Sequence, residues 1–147
     1  MPSAPACEGE GDPAGDVPVK RAAAAWGPPV LWASGLFLLS GISEPPPALE
    51  PLLLIPDTVA HFVLYLVLGG LVARGRVRGR SRIPHAVLLA AAVGYAAFDE
   101  WRQGPVPGRT PEPSDWLADV AGLLAGYLAV ACALGRSPVG PGGVAEG

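Results

Sequence analysis

The stretch Pro56–Ala73, PDTVAHFVLYLVLGGLVA, decides the fold. As a helix it rises about 1.5 Å per residue and so comes close to spanning the roughly 30 Å hydrocarbon core of a bilayer. Yet Asp57 and His61 stand at its start, and Tyr65 follows one turn later. Successive residues turn about 100°, so positions i, i+4 and i+8 stay within an arc of about 80° and descend about 6 Å per step. Asp57, His61 and Tyr65 therefore form one polar stripe leading into an otherwise apolar helix.

The rest of the chain has the same character. Of its 147 residues, 50% are hydrophobic and only 16% are charged, more apolar side chain than a domain this small needs to fill a core. The expected fold is all-α: an integral membrane protein with a bundle of four transmembrane helices. Apolar stretches at 22–43, 54–74, 84–101 and 115–135 are each bounded by Pro, Gly or charge, and each is near the ~20 residues a spanning helix needs. Pro28-Pro29 interrupts the first. Pro84 opens the third, where a first-turn proline loses no hydrogen bond. Lys20-Arg21 precedes an apolar run, as in a secretory signal, but the run is longer than the roughly 7–15 residues of a cleaved signal and reads as an uncleaved span. Residues 1–21, rich in Pro, Gly, Ala and acid, are expected to be a disordered tail, as are residues 136–147, leaving a membrane domain at 22–135. Cys7 and Cys132 have no second cysteine at metal-ligand or disulfide spacing and read as free thiols.

Arginine sets the orientation, because cytoplasmic loops carry the Lys/Arg excess. Arg74, Arg76, Arg78, Arg80 and Arg82 crowd between the second and third spans, while Glu44 and Glu50 lie between the first and second. The arginine segment belongs inside, with both termini cytoplasmic, and the first and third loops outside. As a nucleic-acid site that segment is too short and lacks interleaved aromatics, so no nucleic-acid partner is expected. The partner is the lipid bilayer.

With this topology Asp57, His61 and Tyr65 begin at the outer end of the second span. Asp99, Glu100, Arg102 and Gln103 close the third at the same level, and Asp115 and Asp119 open the fourth one turn apart. A charge in hydrocarbon costs about 2.5–3.5 kcal/mol on insertion scales, so such residues face the bundle interior or a wet cavity and mark function. Asp57, Asp99 and Asp115 could equally be helix-cap or interface residues. His61 and Asp119, one turn deeper, are harder to read that way. Arg109, in the proline-stiffened loop QGPVPGRTPEPSD, can hold a carboxylate together with an anionic ligand through its planar fork, or can latch the loop to Asp115. Gly122 and Gly126 form a small-residue face for close helix packing. Helical spacing alone does not build a metal site from Asp57, His61, Glu100 and Asp119, so no metal and no cofactor are assigned.

The ordered segments PDTVAHFVLYLVLGG and DEWRQGPVPGRTPEPSDWLADVAGLLAG resemble the VanZ-like family of small bacterial membrane proteins. The matching positions are Asp57, His61 and Tyr65, then Glu100 and Gln103, then Pro107-Gly108-Arg109, then Asp115, Gly122 and Gly126. Two positions depart from the family pattern: Thr58, where the family often has Lys, and Asp119, where it has Asn, so the site here is more acidic. The resemblance implies a protein of the bacterial plasma membrane with a cell-envelope role, linked to resistance to the glycopeptide teicoplanin. It implies a site on the outer face but supplies no reaction; the expectation is that the polar cluster there binds or modifies a lipid-linked or glycopeptide-like envelope component. Joined to the polar cluster, it makes Asp57, His61, Tyr65, Glu100, Gln103, Arg109, Asp115 and Asp119 the candidate ligand-binding residues. The alternative is a membrane-embedded hydrolase or transferase acting on a lipid-linked anionic substrate, with Asp57 and His61 as a general-base pair and Glu100 as a third catalytic candidate.

Overall fold

The computed structural model describes residues 13–43, 55–107 and 112–135, with side chains from Val19 onward. These form four helices: α1 (Pro13–Ser40), α2 (Asp57–Arg78), α3 (His85–Gln103) and α4 (Pro113–Gly135). No strand occurs among the described residues. The acidic loop with Glu44 and Glu50, the loop carrying Arg109, residues 1–12 and residues 136–147 lie outside the described residues.

The helix ends depart from the limits of the apolar stretches. The first helix begins at Pro13 rather than at residue 22, so the second half of the expected N-terminal tail is helical. Proline is tolerated in a first turn, and the Lys and Ala that follow are good helix formers. Pro28-Pro29 does not divide α1. Pro29 cannot donate the helical hydrogen bond that the Ala25 carbonyl would accept. That carbonyl lies against α2, where a Cβ at Gly75 would approach it to 2.8 Å. A neighbouring helix thus covers the backbone that the proline leaves open, the usual condition for proline inside a membrane helix.

At its other end, α2 runs on through Arg74 and Arg76 to Arg78, so half of the arginine segment is helical. Cations in a last turn are favoured by the helix dipole. The turn closes with Ser81 N–H donating to the Arg76 carbonyl at 3.0 Å and Arg80 N–H to the Val77 carbonyl at 3.2 Å. This is a Schellman ending whose left-handed position, normally glycine, is held by Arg80 at φ 50°. Gly79 sits one residue too early, at φ −74°.

The closest helix pair is α2 with α4, while α1 packs on α2 and α3 on α4. Glycine explains the closeness. Built onto Gly122, a Cβ would fall inside the contact radius of the Phe62 carbonyl oxygen; on Gly126 it would meet Leu66 O, and on Gly69 it would meet Leu123 O. The two backbones therefore interlock along several turns. α1 is tied to the pair by Trp32, whose Nε1 donates to Leu64 O at 3.0 Å, and to α3 by Tyr95, whose hydroxyl donates to Ala33 O at 2.6 Å. Phe37 stacks on Phe98. At the far end, His85 Nδ1 and the Tyr127 hydroxyl, 2.6 Å apart, join α3 to α4.

An apolar core that includes Leu36, Leu68, Ala96 and Leu123 shares the bundle interior with polar residues, and large apolar side chains cover much of the outside. Asp99, Gln103, Asp115 and Asp119 are buried, whereas Leu31, Leu38, Val63, Val87, Leu117 and Leu128 are exposed. Three helical segments, Val19–Ser40, Asp57–Arg78 and Pro113–Gly135, are long and apolar enough to cross a membrane. α3 is shorter and carries Asp99, Glu100 and Arg102 near its C-terminus, which sets it apart from those three.

Candidate functional site

The polar residues gather at the end of the bundle where α2 and α4 begin and α1 and α3 finish. Asp57 is the first residue of α2 and is exposed; Pro56 occupies the cap position, and no side chain caps the helix. One turn on, His61 faces α4 and its Nδ1 meets Asp119 Oδ1 at 2.9 Å. Beside them Thr58 Oγ1 donates to Asp115 Oδ1 at 2.8 Å. The glycine seam makes both contacts possible, since Gly122 lies one turn beyond Asp119 and brings the α4 backbone onto Phe62, the residue after His61.

The structure therefore gives His61 a different carboxylate from the one that helical spacing suggested. Asp57 is one turn earlier on the same helix, but the hydrogen bond comes from Asp119 across the helix interface. Asp119 is 1% exposed and His61 is half-buried. A carboxylate so placed fixes the orientation of the ring and which nitrogen carries the proton.

α3 contributes two adjacent acids that part company. Asp99 turns toward α1 and α2: Ser40 Oγ donates to its Oδ1 at 2.6 Å and the Tyr65 hydroxyl to its Oδ2 at 3.4 Å. Arg102 Nη2 reaches Asp99 Oδ1 at 3.3 Å and also bonds Ser40 Oγ and the Phe37 carbonyl, with its guanidinium 4.0 Å over the Phe37 ring. Tyr65 is thus part of a structural knot one turn below His61. Glu100 turns toward α4 instead. Its Oε1 accepts the Glu112 backbone N–H at 2.6 Å, at the start of α4, and its Oε2 is buried without a hydrogen-bond partner.

One ligand atom each from His61, Glu100 and Asp119 lies within 4.8 Å of the others, and the same holds for Asp57, His61 and Asp115. Four of the other seven expected ligand-binding residues, Asp57, Glu100, Asp115 and Asp119, therefore surround the His61 imidazole. Gln103 is buried nearby on the last turn of α3. Arg109 lies outside the described residues. Beside Glu100, an open groove of about 320 Å³ runs between α3 and α4, lined by Ala97, Trp101, Pro113 and Trp116 with Glu100 and Glu112.

Sequence reasoning passed over Ser40 and gave Thr58 no partner. Nothing marks Ser40 in advance, because a serine ending an apolar helix is ordinary and its acid partner lies 59 positions away. Thr58 could have been paired with Asp115 once the second and fourth spans were taken as neighbours, a step that the glycine pattern licensed.

The VanZ/LLP1 family model matches residues 33–134, from the middle of α1 nearly to the end of α4. The chain belongs to the VanZ/LLP1 family. No curated protein and no solved structure matches it. The match takes in every helix that supplies the polar cluster, so the cluster lies wholly within the VanZ/LLP1 domain. Family and apolar helices together mark a membrane protein of VanZ type.

Proposed function

We propose that this VanZ-type protein lies in the bacterial plasma membrane with four spans and both termini cytoplasmic, and that its polar cluster opens at the outer face. There it binds or modifies a lipid-linked or glycopeptide-like envelope component, a role connected with glycopeptide (teicoplanin) resistance. The observation that carries this reading is the placement of His61, Glu100, Asp115 and Asp119 at one end of a bundle with an apolar exterior, next to the groove between α3 and α4. The groove offers apolar wall to a lipid tail and Glu100 to the polar group that follows it. Trp101, 74% exposed at this level, suits the headgroup region, where amphipathic rings collect. As a fourth span, the 19 residues of α3 give about 28 Å of helix, enough to cross with its charged last turn at the surface.

The His61–Asp119 hydrogen bond supports a second reading, a membrane-embedded hydrolase or transferase. In it His61, held by Asp119, is the general base. Arg109 would then contact the anionic part of the substrate, which Arg109→Lys should impair by removing the planar fork while keeping the charge.

The test has two parts. With Cys7 and Cys132 replaced by Ser, Ser81→Cys should stay shielded from an impermeant thiol reagent in intact cells, while Pro47→Cys and Thr110→Cys should react. Labelling of Ser81→Cys from outside would overturn the outer-face site. His61→Ala and Glu100→Ala should each abolish the glycopeptide-resistance phenotype with membrane abundance near normal. Loss of both proteins from the membrane would instead assign these residues to packing.

A further inference from the structure

We propose that His61, Glu100 and Asp119 bind a divalent metal ion of the Zn²⁺ or Mn²⁺ type. The three side chains come from three different helices and converge to within 4.8 Å. One imidazole nitrogen and two carboxylate oxygens form a mixed donor set suited to a borderline divalent cation, and three protein ligands leave positions open for a substrate oxygen or water.

Two further observations favour an ion over a self-contained hydrogen-bonded cluster. Glu100 Oε2 is a buried oxygen with no partner, although its sister Oε1 is held by the Glu112 N–H. Asp119 is almost wholly buried and, among the described residues, has one cationic-capable neighbour, His61, for two acids. Buried charges are normally paired or coordinate metals, and here the acids outnumber the imidazole. The spacing permits an ion. The 2.9 Å between His61 Nδ1 and Asp119 Oδ1 is a hydrogen-bond distance that two ligands about 2.1 Å from one ion can also span. The 4.8 Å limit exceeds the roughly 4.2 Å that two ligands about 2.1 Å from one ion can span, so binding draws the donors closer, and Glu100 Oε2 can join them without giving up a hydrogen bond.

The ion would also change what the site can receive. Four acids, Asp57, Glu100, Asp115 and Asp119, make the cluster inhospitable to a phosphate or carboxylate. A divalent cation on three of its ligands would supply the positive centre that an anionic envelope headgroup needs. That consequence rests on the proposed function; metal binding itself does not.

The experiment uses the full chain purified in detergent and stripped with chelator. Titration with MnCl₂, followed by loss of the free-ion EPR signal, should show one ion per chain, and ZnCl₂ should compete for the site and raise the melting temperature. Asp119→Asn and Glu100→Gln should each weaken Mn²⁺ binding by more than about tenfold, the low end of what losing even an outer partner does. Asp119→Glu, which keeps a carboxylate, should retain binding if Asp119→Asn proves poorly folded. Cys132→Ser should bind as wild type, because that exposed thiol lies near the other end of α4. No Mn²⁺ or Zn²⁺ binding to the wild-type chain at about 1 mM would overturn the proposal. So would binding lost with Asp57→Asn and kept with Asp119→Asn. Metal binding without a resistance phenotype would leave the site standing and remove only the envelope role.

Discussion

Replacing Gly122 with alanine tests the idea that backbone contact between α2 and α4 builds the site. An ordinary Gly→Ala change in an exposed helix stabilises by up to about 1 kcal/mol, because alanine is the better helix former. At Gly122 the new Cβ would meet the Phe62 carbonyl oxygen and approach Leu66 N to 3.0 Å. Both neighbours are backbone atoms and cannot rotate away. Restoring normal contact requires the helices to separate by on the order of 1 Å, and overpacking of this kind costs about 1–3 kcal/mol. His61 and Asp119 flank the contact, so their 2.9 Å hydrogen bond should stretch past the useful range. The net expectation is a loss of about 1–2 kcal/mol, read as a lower melting temperature in mild detergent, together with loss of Mn²⁺ binding. Gly94→Ala is the control: nothing lies within 4 Å of a Cβ there, so it should melt at or above wild type. Equal melting of Gly122→Ala and Gly94→Ala would refute the argument.

Three more predictions rest on contacts away from the His61 cluster. Arg80→Gly should stabilise the protein by about 1 kcal/mol, because it relieves a left-handed residue in the Schellman turn; a lower melting temperature would show that the Arg80 side chain matters more than its backbone. Asp99→Leu should destabilise by about 2 kcal/mol, since Ser40, Tyr65 and Arg102 all lose an acceptor, and limited proteolysis should then cut faster after α1. Tyr65→Phe, which loses only the 3.4 Å bond, should be nearly silent in both assays.

The helices were legible in the sequence because apolar length is a strong signal, and their ends were not. Pro13–Arg21 has no apolar periodicity, and Arg74–Arg78 looks like loop by charge, yet each continues a helix whose body is fixed elsewhere. Helix ends answer to capping and dipole terms of a few tenths to one kcal/mol, too small to stand out in composition. The convergence of His61, Glu100 and Asp119 could be anticipated, because one turn of helix places polar residues at matching depths. Which acid meets the imidazole could not. Asp57 and Asp119 both stand within reach of His61 by spacing, and the choice depends on how closely two backbones approach. Glu100 and Asp99 are adjacent in sequence, and only the positions of α1 and α4 send one to Ser40 and the other to Glu112.

The interlocked glycines also divide the protein mechanically. α2 and α4, keyed together by Gly69, Gly122 and Gly126, can slide or twist against each other only by breaking several backbone contacts at once, so they behave as one jaw. α3 holds to that jaw through side chains: the Glu100–Glu112 hydrogen bond at one end and the His85–Tyr127 pair at the other. α3 forms the opposing jaw. Outward movement of α3 would carry Glu100 with it and leave His61 and Asp119 in register, but only by breaking its ties to α1 through Asp99 and Tyr95.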